Sequence, residues 1–217
     1  MAIFTVIGLG SFGQTIALEL TKLGHDVIGI DTEQRNIEQV ADHITHAVIA
    51  DATDEKVLEE LNVQKSEAAI VAIGEDIEAS ILCVLNLKNL DIQHVWVKAK
   101  TKSHHTILSH LGVDKIIHPE EDMGIRIAQT LSYPMVSRYM ALEHDHYIVK
   151  VVISEHMKGV HLHGLMGKYA QSVHILLLKR NQEIFYHLPE GFTLEPEDIL
   201  IVEGLQQDLQ KLSSSFK

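Results

Sequence analysis

Short apolar runs recur through the first half of the chain, at Ile3–Ile7, Val27–Ile30, Ala47–Ala50, Ala68–Ile73, Val95–Ala99 and Lys115–Ile117. Runs of this length, apolar at nearly every position, mark strands buried on both faces. Helix-length stretches lie between them, with apolar residues returning every three or four positions. Phe12, Ile16, Ala17, Leu20 and Leu23 form one such stripe, with Glu19 and Lys22 on the wet side. Further stripes are Ile37/Val40/Ala41, Val57/Leu58/Leu61, Ile77/Ile81/Leu85 and Ile107/Leu108/Leu111. Gly24 and Gly112 each stand where a helix must stop before the next strand. Alternating strands and helices predict an α/β fold with a Rossmann-type doubly wound parallel sheet.

The rhythm then changes. Met123–Leu131 reads as a helix that Pro134 ends or kinks, and Met135–Leu142 reads as a second short helical run. Their apolar residues exceed one narrow stripe, which suits a crossover or dimerisation arm as well as a last intradomain helix. Beyond it, Tyr147–Ile153, Ser172–Leu178, Glu183–His187 and Ile199–Val202 are strand candidates. Leu162–Tyr169 and Leu205–Leu212 are helix candidates, and Lys179–Gln182 reads as a hairpin turn. The predicted organisation is therefore a nucleotide-binding domain over 1–122, crossover helices and hinge over 123–142, and a small α+β domain over 143–217.

Composition narrows the functional classes. With 30 acidic against 18 basic residues the formal charge is −12, and no dense basic block accompanies it. That balance argues against binding along a nucleic-acid backbone. The single cysteine, Cys83, allows no intrachain disulfide, and its apolar neighbours predict a buried helix position. No apolar stretch approaches the roughly 18 residues of a membrane span, and the N-terminus enters a strand pattern without a signal-peptide signature. The expected location is cytoplasmic, with docking on a membrane protein still open.

The sharpest chemical signal is Gly8-Leu9-Gly10-Ser11-Phe12-Gly13, placed directly after the first strand and at the start of a helix. In such a turn Gly8 permits the tight bend, Gly10 lets a pyrophosphate approach, and Gly13 allows close helix-to-strand packing. Phosphate then sits at the helix N-terminus, where free amides and the helix dipole favour negative charge. Asp31, 18 residues beyond Gly13, stands at the tip of the second strand, where its carboxylate can accept from ribose hydroxyls and repel a 2′-phosphate. Asp51, Ala52 and Thr53 follow the third strand and Ile73 and Gly74 close the fourth, so both groups are expected to line the adenosine and phosphate subsites. Asp51 and Thr53 also suit capping of the next helix.

Other residues admit a metal reading. Glu120 follows the sixth strand at the same sheet edge and can help to hold Mg²⁺ or Ca²⁺ beside phosphates, while Glu121 and Asp122 suit helix capping. His104-His105, His144-x-His146 and His161-x-His163 lack a complete local ligand set and read as ordinary histidines. No tyrosine has a lysine four positions later, and the second domain is small for a substrate cavity. A sensor therefore fits better than a catalyst. A small NAD-dependent oxidoreductase and a sensor acting on a different membrane transporter remain the alternatives.

Val6–Gly13, Thr45–Thr53, Ala69–Ser80, Val95–Ala99 and Val113–Ala128, including the block His118-Pro119-Glu120-Glu121-Asp122-Met123-Gly124, resemble the KTN/RCK regulatory proteins of bacterial Ktr/Trk-type potassium transporters. The resemblance extends through an RCK_C-like (TrkA_C-like) module. It implies a cytoplasmic gating subunit, peripheral to the membrane, that forms homodimers assembling into an octameric ring beneath a potassium-translocating subunit. It also implies ATP or ADP in the N-domain, with NAD or NADH known for related domains, and a divalent-cation carboxylate at Glu120. Many of these regulators carry arginine where this chain has Ser11, so charge-assisted recognition of a terminal phosphate is weakened here. The C-terminal module resembles domains that bind cyclic di-AMP, with His174, Ile175 and Pro189 at the matching positions.

Overall fold

The computed structural model describes residues 1–132, 136–142, 145–167, 169 and 172–214. The chain divides into two compact units, Met1–Pro119 and Glu120–Lys217.

In the first unit, strands β1 (Ile3–Ile7), β2 (Asp26–Asp31), β3 (His46–Ile49), β4 (Ala68–Val71), β5 (His94–Lys98) and β6 (Lys115–Ile117) alternate with helices. These are α1 (Ser11–Lys22), α2 (Gln34–Glu38), α3 (Glu55–Glu60), α4 (Ile77–Asn89) and α5 (Lys102–His110). Every strand pair is parallel, in the order β3-β2-β1-β4-β5-β6. The doubly wound sheet expected from the alternation is thus present, with its switch point between β1 and β4.

Two buried clusters flank the sheet. Val6, Val27 and Ile70 gather with Leu9, Ala17, Ile37 and Val40, while Ile7, Ile30, Val71 and Val97 gather with Leu58, Cys83, Val84, Leu87 and Leu108. Alternate strand residues therefore serve opposite layers, which is why the strands read as unbroken apolar runs. Gly24 and Gly112 adopt φ of 85° and 65° after α1 and α5, the left-handed turn expected of them.

The second unit opens with α6 (Pro119–Ser132), continues through β7 (Val136–Ala141), β8 (His146–Val152), α7 (Leu162–Met166), β9 (Val173–Arg180), β10 (Glu183–Phe185) and β11 (Ile199–Leu205), and closes with α8 (Gln206–Ser214). Its sheet is antiparallel, in the order β10-β9-β11-β8-β7.

Two expectations are corrected here. The run after Pro134 is not a second crossover helix: the backbone of Val136–Ala141 pairs antiparallel with β8. A short apolar-rich run fits a strand as well as a helix, and pairing partners decide between them. Pro134 itself lies outside the described residues. The hairpin turn is also shorter than Lys179–Gln182, because Lys179 and Arg180 pair with Ile184 and Glu183, leaving Asn181 with φ of 53° at the bend. Among the described residues, no helix is long and apolar enough to cross a membrane.

Candidate functional site

A cleft of about 610 Å³ opens at the carboxyl ends of β1, β2, β3 and β4. Gly8, Gly10, Asp31, Asp51, Ala52, Thr53, Ile73 and Gly74 line it, so most of the first-unit residues singled out in sequence for the nucleotide converge here. Leu9 is buried beneath the turn, Gly13 is buried, Phe12 is half-buried and Ser11 is exposed at the first position of α1.

Backbone geometry sets the shape of the turn. Gly8 holds φ of 88° and donates its N–H to Ile30 O at 2.8 Å, tying the turn to the end of β2. Asp31 reinforces that link from the opposite direction. Its Oδ2 accepts from Leu9 N–H at 2.5 Å and from Asn36 Nδ2 at 3.1 Å, and its Oδ1 accepts from Glu33 N–H at 2.8 Å. The residue expected to read the ribose is thus also a brace for the phosphate turn.

The N-terminus of α1 differs from those of the other long helices in this unit. Asp76 caps α4 and Thr101 caps α5 through side-chain acceptors, and the shorter α3 is capped by Asp54. Helix α1 starts from Gly10, with no side-chain cap and no acidic residue in its first turn. Its first-turn amides and the positive end of its dipole are therefore left to an anion. An alanine Cβ at Gly10 would meet nothing within 4 Å, so the approach to these amides is open.

Asp51 does not cap α3. Its Oδ1 accepts from the Thr53 hydroxyl at 2.7 Å and from Thr53 N–H at 2.9 Å, and these bonds hold its carboxyl below the usual carboxylate range. Asn86 Nδ2 in turn donates to Thr53 O at 2.8 Å, anchoring this loop to α4.

Sequence reasoning missed several contributors. Asn36, Glu33, Glu75 and Asp76 also line the cleft. A Cβ on Gly74 would come within 3.0 Å of Lys98 Nζ, and the same ammonium lies 5.9 Å from the centre of the Phe12 ring. Lys98 thus brings a cation toward the phosphate turn from the end of β5. Its signal in sequence was only its place at the carboxyl end of a parallel strand.

Cys83 lines the cleft but is fully buried on α4, as its neighbours suggested. Burial, with Asp51 contributing, pushes its thiol up to about 12. It is therefore a neutral thiol at any ordinary pH. The folded protein is expected to resist alkylation by iodoacetamide at pH 8, with one equivalent incorporated per chain only after denaturation. Rapid labelling of the native protein would contradict this.

Among the described residues, no group of three or more His, Cys, Asp or Glu side chains is placed to hold a metal ion. His105 Nδ1 and His118 Nε2 lie 2.8 Å apart with their rings stacked, and His104 is buried beside Lys100 N–H. His144 lies outside the described residues. Glu120, Glu121 and Asp122 all fall within the first turn of α6, inside the helix rather than at its cap.

In the second unit, a cavity of about 310 Å³ is lined by Leu162, Met166, Ile175, Pro189 and Phe192, together with His163, Tyr186 and His187. Ile175 and Pro189 both line it. His174 is exposed and outside the lining, since successive strand residues point to opposite faces.

Comparison with known proteins agrees with this anatomy. Residues 4–119 match the TrkA-N domain. The chain is 37% identical over 211 residues to the Ktr system potassium uptake protein A of Bacillus subtilis (strain 168), covering 97% of this chain and 95% of that protein. Among solved structures, a GsuK channel bound to NAD superposes on 100% of this chain with a TM-score of 0.55 at 17% identity. A GsuK structure bound to ADP superposes on 60% with a TM-score of 0.51 at 22% identity. This chain spans only 38% and 33% of those two channel chains, and the likeness speaks for the fold alone. The full-length match to an uptake protein, together with the TrkA-N match, places this chain in the TrkA-N family of Ktr/Trk potassium-uptake proteins.

Proposed function

We propose that the chain is a nucleotide-sensing regulatory subunit of a potassium-uptake system, with ATP or ADP in the cleft of the first unit. The observation that carries this reading is the uncapped N-terminus of α1 opening onto a cleft that Asp31 also lines. Phosphates would take the first-turn amides, with Lys98 adding positive charge, and the adenosine would extend toward Asp31 and the Asp51–Thr53 loop. Among the described residues, the lining supplies carboxylates and no lysine or arginine. Phosphate recognition would therefore rest on backbone amides more than on side chains, in keeping with Ser11 where related regulators carry arginine.

Glu120 is the candidate carboxylate for Mg²⁺ or Ca²⁺ accompanying a nucleotide, although it belongs to the second unit and is not among the residues that line the cleft of the first. A single carboxylate suits Mg²⁺, whose remaining ligands come from phosphates and water. NAD fits the same turn and ribose subsite and is the competing ligand. In the second unit, a purine base of cyclic di-AMP would enter the cavity lined by Ile175 and Pro189, a reading supported by its mix of apolar residues with His163, Tyr186 and His187. Assembly as homodimers into a ring, contacting a membrane potassium-translocating subunit, would turn ligand-dependent shape into gating. A ligand shifts such a balance only through unequal affinity for the two shapes. The role is coupling, not turnover.

Calorimetry on the full chain with ATP, ADP, NADH and cyclic di-AMP tests the reading. ATP or ADP is expected to bind, and Asp31→Ala is expected to weaken that binding on the order of ten- to a hundredfold, the value of a hydrogen bond to a charged group. Cyclic di-AMP affinity is expected to be unchanged in that variant. NADH binding alone would shift the assignment to a redox sensor, and no binding of any of the four would refute it.

A further inference from the structure

Resting on the nucleotide reading above, the hydrogen bonds of Asp31 can be counted. Each carboxylate oxygen accepts about two. Oδ2 already takes Leu9 N–H and Asn36 Nδ2, and Oδ1 takes Glu33 N–H, so one acceptance remains, on Oδ1. A ribose offers two adjacent hydroxyls. Asp31 can receive only one of them without giving up a bond that holds the phosphate turn or α2. Releasing Leu9 N–H would strand an amide beside a fully buried leucine, which makes that route unfavourable.

Asn36 is the group placed to receive the other hydroxyl. It is half-buried on α2, lines the same cleft and is anchored by its own bond to Asp31. Because a carboxylate cannot donate, the nitrogen of the Asn36 amide must face Asp31, and the amide oxygen is left as an acceptor. Glu33 also lines the cleft, but its side chain is exposed and is the less constrained of the two.

We propose that the ribose diol is divided between two side chains, Asp31 Oδ1 accepting from one hydroxyl and the Asn36 carboxamide oxygen from the other. Asn36 is then a specificity residue, selecting ribonucleotides at one of the two ribose positions. The two recognitions differ in strength, since one acceptor is charged and the other neutral.

The test is calorimetry of ATP, 2′-deoxy-ATP and 3′-deoxy-ATP with the full chain as wild type, Asn36→Ala and Glu33→Gln. Alanine is favourable in a helix, and a thermal melt checks that each variant is folded. In the wild type, one deoxy analogue is expected to lose on the order of ten- to a hundredfold in affinity and the other about two- to tenfold. In Asn36→Ala, the analogue with the smaller loss should bind as tightly as ATP does, while the other keeps its full loss. Three results would overturn the proposal: Asn36→Ala discriminating against both analogues as the wild type does, against neither, or Glu33→Gln erasing the smaller loss in its place. Failure of wild-type protein to bind ATP, ADP and NADH at all would be distinct from these, and would remove the nucleotide reading itself.

Discussion

Gly13→Ala is expected to destabilise the first unit by about 3 kcal/mol and to abolish nucleotide binding with it. An alanine Cβ at Gly13 would lie 1.9 Å from Gly8 O, 3.0 Å from Gly8 C and 3.3 Å from Ala72 Cβ. Gly8 cannot yield, because its N–H is bonded to Ile30 O and its own surroundings include Ile73 N at 3.0 Å from any added Cβ. The helix must therefore withdraw from the sheet, loosening the cluster around Val6, Leu9 and Ala17. Helix propensity opposes this loss: alanine gains roughly 1 kcal/mol over glycine inside a helix. Forced overpacking costs typically about 1–3 kcal/mol and occasionally more, and a backbone collision this close belongs at the upper end. Urea unfolding followed through Trp96, the only tryptophan and a residue of β5, reports the first unit directly.

Gly10→Ala is the informative contrast. It meets nothing within 4 Å and should cost at most about 1 kcal/mol, as expected for alanine at an N-cap, while still blocking the phosphate approach. Stability loss in one variant and ligand loss without stability loss in the other would separate the packing role of the motif from its binding role. Equal stability of both variants with the wild type would show that the turn is wider than described.

This contrast also shows why the first unit was so legible. The three glycines carry different constraints in the structure, a positive φ, an open approach and a backbone contact, and all three are already implied by their spacing at a strand-to-helix junction. The strands could be read because each serves two apolar layers. Asn36 and Lys98 were not legible, since an amide on a short helix and a lysine at a strand end gain meaning only from what the fold brings near them. The position of Asp31 at a strand tip suggests a ribose ligand, yet its bond to Leu9 N–H joins residues 22 apart in sequence, and no local pattern announces it.

The second unit was harder to read for a related reason. Val136–Ala141 mixes apolar residues with Ser137 and Arg138 without a clean period, and its backbone pairing with β8 is what makes it a strand. The sequence pattern puts Arg180 in a turn, whereas it closes β9 and holds the one buried carboxylate found among the described residues of this unit. Local periodicity carries no information about such long-range charge pairing.

Arg180→Leu is accordingly expected to destabilise the second unit by about 3 kcal/mol. Asp198 is 1% exposed, and Arg180 meets it with two parallel bonds, Nε to Oδ1 at 2.8 Å and Nη2 to Oδ2 at 2.7 Å. The same guanidinium donates to Thr193 O at 2.7 Å and lies 4.8 Å from the centre of the Phe192 ring, a residue of the second cavity. Leucine would leave Asp198 with Glu195 N–H at 2.8 Å as its remaining donor. Stranding one member of a buried pair costs about 3–5 kcal/mol, and the lower end applies because the Arg180 side chain keeps some contact with water. Arg180→Lys keeps the charge and loses the fork, so its loss should be smaller. Amide exchange at Leu178 and Leu200, on the two strands nearest the pair, localises the effect to this unit. The double variant Arg180→Leu with Asp198→Leu removes the stranded charge, and recovery of much of the lost stability would identify uncompensated burial as the cause. A double variant no more stable than Arg180→Leu alone would instead assign the loss to the Thr193 and Phe192 contacts, and so to the packing of the second cavity.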